Sequence, residues 1–249
     1  MQRGEEGGDE KPRKQKRLNK EMRQNMINIF IGFDNKERAA YNTLSWSLIK
    51  NSTTPLAITP IALNNLQGVF ERERNALSST EFSFSRFMIP HLMGYKGWAI
   101  FMDCDMLVLD DITHLWDLRD DKYAVQVCKH DYTPKSETKF LGQVQTKYEK
   151  KNWSSVMLMN CEKCTALTPE YVNTASGLEL HQFKWLESEK LIGDLPLEWN
   201  WLAGEYETKE DVSNIHYTEG GPWFQDSRDA EYAEYWDAYY RETLPEAVQ

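Results

Sequence analysis

The sequence predicts an α/β fold built on one mostly parallel mixed sheet, and three observations carry that expectation. Short apolar runs rich in β-branched and aromatic residues recur along the chain. Longer segments with helical spacing of apolar residues separate them, the alternation that gives a largely parallel sheet. Polar, chemistry-bearing residues stand just past the carboxyl ends of two of the runs, where open α/β sheets bind their ligands. A length of 249 residues with 41% hydrophobic and 12% aromatic content suffices for one packed domain. Nine tryptophans are many for that length and lean toward an aromatic-lined pocket as well as a core.

The elements follow in order. Residues 1–25 mix Gly, Pro and charge without apolar periodicity and read as a disordered or weakly helical leader, so the folded domain is expected over residues 26–249. Ile27 to Ile31 crowds β-branched and aromatic residues and reads as a buried first strand ending at Gly32-Phe33-Asp34. A helix is expected from about Glu37 to Lys50, then a strand over Leu56 to Ile61. Phe82 to Met93 reads as a helix, and Trp98 to Met102 as a buried strand running straight into Asp103. Further strands are expected over Tyr123 to Cys128 and Val156 to Asn160, with helices around residues 178–188 and 230–241. Aromatics at helical spacing in the last of these, from Tyr232 to Tyr240, read as core packing. No internal repeat is visible.

Charge and cysteine content narrow the function. The formal net charge is -10, but residues 1–25 carry eight Lys/Arg against five Asp/Glu, which leaves 21 against 34 for the remainder. A body that acidic repels nucleic acid and anionic lipid, and a phosphate-bearing substrate bound to it needs a cation to screen it. Cys161 and Cys164 form a lone CxxC with no second pair to complete a zinc site, so the cysteines read as structural thiols. No apolar stretch approaches the roughly 20 residues of a membrane span, and the N-terminus is charged, so no signal peptide or anchor is visible and a cytoplasmic location is expected.

Asp103-Cys104-Asp105 is the chemical focus. With 15 aspartates in the chain, about one Asp-x-Asp triplet arises by chance, so the context must carry the claim. These carboxylates lie between two apolar runs, Trp98 to Met102 and Met106 to Leu109, where burial is costly unless a cation or hydrogen bonds compensate. Residues two apart on extended backbone point the same way, so Asp103 and Asp105 can converge on one ion. Oxygen ligands suit Mg²⁺ or Mn²⁺, ions that commonly bridge carboxylates and substrate phosphates.

The run from Ser83 to Pro90, the run from Gly97 to Val108, Asp111-Ile112 and Leu115-Trp116 together resemble the core of family 8 glycosyltransferases. The likeness continues through Gly32-Phe33-Asp34 with the following helix, through Trp153 to Asn160, and through His216-Tyr217 with Gly220-Gly221-Pro222-Trp223. It spans about residues 26 to 225, with the motifs in the family's order. The resemblance implies a GT-A fold, a single Rossmann-like domain, and a hexosyl transfer from a UDP-sugar to a glycan or other hydroxyl-bearing acceptor, with retention at the anomeric carbon. It implies Mn²⁺ (or Mg²⁺) held by Asp103, Asp105 and His216. Gly32, Phe33 and Asp34 would face uracil and ribose, Arg86 the diphosphate or the sugar, and Cys104, Ser155, Gly220 and Gly221 would complete the donor site. Two positions depart from the family pattern: Gly221 stands where a lysine commonly precedes Pro-Trp, and His181-Gln182 where an Asp-Gln pair is common. Asp131, Gln182 and Glu198 are therefore the candidates left to contact the sugar or the reaction centre.

Three other readings compete. A haloacid-dehalogenase-like phosphatase also ends an apolar strand in Asp-x-Asp, but after its first strand, and here about 75 residues of strand and helix precede the triplet. A nucleotidyltransferase expects a Gly-rich basic loop after its first strand, which Asp34 to Arg38 matches poorly. A non-catalytic sugar-nucleotide or glycan-binding protein of the same fold would fit the two departures.

Overall fold

The computed structural model describes residues 26–72, 80–131 and 149–245; the leader expected over residues 1–25 lies outside them. A six-stranded sheet forms the centre, in the order β2-β1-β3-β6-β5-β7. Its strands are β1 (Ile27–Gly32), β2 (Leu56–Ile61), β3 (Trp98–Met102), β5 (Val125–Cys128), β6 (Val156–Asn160) and β7 (Ile192–Leu195). The β1/β2, β1/β3 and β5/β7 pairs are parallel and the two pairs made by β6 are antiparallel, which gives the mixed, mostly parallel sheet expected. Apolar runs fill the interior strands because both faces are covered: β5 and β6 are buried throughout. At the β2 edge Pro60 is tolerated, since an edge strand has one side whose N–H groups need no partner.

A second sheet, order β4-β9-β8, joins β4 (Met106–Val108), β8 (Trp201–Leu202) and β9 (Asn214–His216). The chain leaves β3, turns at Asp103-Cys104-Asp105 and enters β4, so the acidic triplet is the corner between the two sheets. Helix α1 (Arg38–Asn51) buries Ala40, Thr43, Leu44, Ser47 and Leu48, a stripe at three- and four-residue spacing. The Ser47 hydroxyl on that stripe accepts the Val108 N–H at 3.2 Å and ties α1 to β4.

Several expectations need correction. The helix read over Phe82 to Met93 is a turn, a 3-10 stretch Ser85–Met88 and one helical turn, α2 (Ile89–Leu92). Pro90 has no N–H to give to the preceding turn, so a helix can begin at that point but not run through it. The helix expected near residues 178–188 is α5 (Gly177–His181), which a capping box at Ser176 starts and which closes by Phe183, at φ +58°. Two short helices, α3 (Ile112–Trp116) and α4 (Pro169–Thr174), stand where none is expected, and the last helix, α6, runs Ala233–Glu242. Among the described residues no helix is long and apolar enough to cross a membrane. All four cysteines are buried free thiols, as structural thiols should be.

Candidate active site

Strand pairing assembles the acidic corner. Asp103 continues the β3–β6 ladder by donating its N–H to the Ser155 carbonyl at 3.0 Å, and the Asp105 carbonyl accepts the Tyr217 N–H at 2.9 Å. Antiparallel pairing of β4 with β9 sets Met106 opposite His216, so the imidazole arrives beside Asp105. His216 Nε2 lies 3.3 Å from Asp105 Oδ1. One ligand atom from each of Asp103, Asp105 and His216 falls within 4.8 Å of the others.

That donor set is suited to a hard divalent cation. Octahedral Mg²⁺ holds its ligands at about 2.1 Å and hence about 3–4 Å apart, so the three groups need close by no more than about 2 Å. On its far side the His216 ring places Nδ1 2.8 Å from Asn200 Oδ1, the kind of outer partner that orients a ligating histidine.

Arg86 stands behind Asp103. Its guanidinium is 2.6 Å from Asp103 Oδ1 and donates to the Ser154 carbonyl at 2.8 Å, with the Phe101 ring 4.8 Å beneath it. Arg86 is 5% exposed, so the positive charge enters the site at a fixed point rather than on a free surface arm. Glu37, 1% exposed, faces the corner from the start of α1 and meets the Cys104 thiol at 3.7 Å. Burial, and then the charges of Asp105, Asp34 and Asp103, hold its carboxyl well above the ordinary glutamate range. Burial likewise pushes the Cys104 thiol up. His130, close to His216, is pushed down to about 3 by burial and by that neighbouring ring, and sits 2.6 Å from the Tyr206 hydroxyl.

The other residues named from the sequence divide. Gly32 ends β1, and a side chain there would overlap the Phe82 ring at 2.3 Å. Phe33 packs edge-on against Tyr41, and both Asp34 oxygens accept backbone N–H groups, from Lys36 at 2.9 Å and Glu81 at 3.0 Å. Ser155 is fastened to the Asn152 carbonyl at 2.5 Å. Gly220 uses a φ of +109°, and Gly221 lies under Trp223, whose ring is 2.1 Å from where a Cβ would stand. His181, in the departing pair, is hydrogen-bonded to Ser154 Oγ at 2.7 Å and packed against Phe87 and Phe84. The Gln182 backbone carbonyl accepts from Lys150 Nζ at 3.2 Å. Asp131 is exposed. Glu198 is half-buried, with its carbonyl taking the Ser213 N–H at 3.0 Å. The residues brought together are thus Asp103, Asp105, His216, Arg86, Cys104 and Ser155. Asn200, Ser154 and Glu37 join them without having been assigned site roles from the sequence. The signal for Asn200 was its place between Trp199 and Trp201, where a polar side chain must find buried partners.

Comparison with known proteins completes this picture. The family model for glycosyl transferase family 8 matches residues 11–227. The chain belongs to glycosyl transferase family 8. This family 8 chain is 49% identical over 232 residues to Protein CDI of Arabidopsis thaliana, covering 88% of the chain and 89% of that relative. Its fold is similar to that of the galactosyltransferase LgtC in complex with donor and acceptor sugar analogues, with a TM-score of 0.58 at 14% identity over 89% of this chain and 98% of that one. WbbM, a bifunctional glycosyltransferase, gives a TM-score of 0.59 at 16% identity, and here 87% of the chain spans only 50% of the larger protein. GlyE of Streptococcus pneumoniae TIGR4 gives 0.57 at 15% identity, over 86% of this chain and 60% of that one. The fold is therefore GT-A and the protein a glycosyltransferase, which decides against the phosphatase and nucleotidyltransferase readings.

Proposed function

We propose that this enzyme transfers a hexose from a UDP-sugar to a hydroxyl-bearing acceptor such as a glycan, with a divalent cation, Mn²⁺ or Mg²⁺, held by Asp103, Asp105 and His216. The observation that supports this most directly is the convergence of those three side chains, from residues 111 apart, within 4.8 Å at the corner between the sheets. Residues 26–249 would act as one catalytic domain.

Glycosyl transfer lengthens a bond to phosphate while negative charge grows on the leaving group, so charge stabilisation there is the largest effect on offer. When bound, the cation supplies positive charge against the donor diphosphate. Asp103 and Asp105 would set its position, and Asp103 also holds the Arg86 guanidinium at 2.6 Å. Gly221 contributes no cation, so Arg86 carries the protein's share of leaving-group stabilisation. The turn at Gly32-Phe33-Asp34, rigid because Asp34 bridges two backbone amides, would present uracil and ribose contacts, with Cys104, Ser155, Gly220 and Gly221 lining the diphosphate and sugar. Asp131, Gln182 and Glu198 are proposed to meet the sugar or acceptor. Front-face attack, in which the departing phosphate oxygen takes the acceptor proton, would give retention.

The test is donor hydrolysis without acceptor. Incubation with Mn²⁺ and a panel of UDP-sugars should release UDP from one donor, and both chelator and Asp105→Ala should abolish the release. Release that survives both treatments would overturn the metal assignment.

A further inference from the structure

We propose that Asn200 is a positioning residue of the cation site: it sets the ring tautomer of His216 and ties that ring to the turn that starts β6. The proposal rests on the reading of Asp103, Asp105 and His216 as cation ligands, but its structural half stands on hydrogen-bond geometry alone.

Asn200 is fully buried and precedes β8, whose parallel pairing with β9 sets Leu202 beside His216. Its Nδ2 lies 3.1 Å from the Asn152 carbonyl and 2.9 Å from Ser155 Oγ. A carbonyl only accepts, and the Ser155 hydroxyl already gives its proton to the same Asn152 carbonyl at 2.5 Å. Both contacts therefore require the amide nitrogen on that side, which turns Oδ1 toward His216. Oδ1 has only lone pairs to offer, so the His216 Nδ1 it meets at 2.8 Å must carry the hydrogen. In the neutral ring the lone pair is then left on Nε2, the nitrogen facing Asp105.

Neither aspartate nor alanine does all three things. Aspartate accepts from Nδ1 but has no hydrogens for Asn152 or Ser155, and alanine does neither. Ser155 also receives the Asp103 N–H through its carbonyl at 3.0 Å. The Asn152–Ser155 turn thus supports Asp103 through the backbone and His216 through Asn200, so the ligands from the two sheets share one anchor.

The test uses the full chain. Long-range ¹H–¹⁵N spectra of metal-free, histidine-labelled protein, with His216 assigned by its loss in His216→Gln, report the tautomer, and Mn²⁺ titration followed by the paramagnetic resonance of the unbound ion reports affinity. The wild type should show Nδ1–H at His216. Asn200→Ala should lose that fixed tautomer and weaken Mn²⁺ binding by about 10–100-fold. Asn200→Asp, which keeps the acceptor, should restore the tautomer and recover part of the affinity. An Nε2–H tautomer in the wild type overturns the proposal without any variant having to fold, as does a folded Asn200→Ala with unchanged tautomer and affinity. If the wild type takes up no Mn²⁺, the cation reading fails, and the tautomer comparison still decides the role of Asn200.

Discussion

Trp223 leaves no room for a side chain at residue 221. A Cβ there would stand 2.1 Å from the ring, and the ring cannot swing away because Tyr217 and Trp236 pack against it at 5.6 and 5.5 Å. Gly221→Ala should cost about 1–3 kcal/mol in urea unfolding, the range for overpacking a filled site. The departure from the family pattern is thus built into the packing and was legible as a residue identity, whereas its cause was not. A second residue effect follows from Glu37. Burial, reinforced by the neighbouring carboxylates, raises its folded pKa, so the folded protein holds this proton more tightly than the unfolded chain does. Its contribution to stability is complete below the ordinary glutamate range and is lost as pH rises toward the folded value. In chelator, Glu37→Gln should therefore gain stability over the wild type steadily as pH rises through that window, measured as urea unfolding free energies at a series of pH values. A constant difference would contradict the assignment.

At the scale of elements, α6 is the brace of the second sheet. Trp236 is 1% exposed, stacks on Tyr240 at 4.8 Å and presses on Trp223, while Glu242 reaches back to Lys50 and Trp46 on α1. Trp236→Ala should lose about 3–5 kcal/mol, read from the denaturation midpoint at unchanged slope. This helix, α1 and the strands β1, β2, β3 and β6 were legible because long periodic or continuously apolar runs leave a strong mark. The short strands β7, β8 and β9 were not. Two to four residues carry no period, and Trp201-Leu202 or Asn214-Ile215-His216 acquire strand geometry only from their partners. The overlong helix at 178–188 failed for the opposite reason: apolar residues continue past α5, but the chain has already turned by Phe183.

For the whole molecule, the cation site depends on a join that no local reading supplies. Asp103 and Asp105 belong to the loop leaving the main sheet, and His216 to a strand of the small one, brought level by the β4–β9 register. The sequence marked Asp103 and Asp105 by their spacing between two apolar runs, and His216 through resemblance. It left Asn200 unassigned, because a supporting amide has no motif and its flanking tryptophans indicate burial without naming the partners. An acidic body built around this corner makes the cation the natural partner of a diphosphate. The most direct measurement is calorimetric titration of UDP into the wild type with Mn²⁺, into the wild type with chelator, and into Asp105→Ala with Mn²⁺. Saturable binding in the first, weakened by more than about 100-fold in the other two, is the predicted result, a loss beyond that of a mere supporting partner. Equal binding in all three, or none in any, would contradict a cation held by Asp103, Asp105 and His216 against a UDP-sugar.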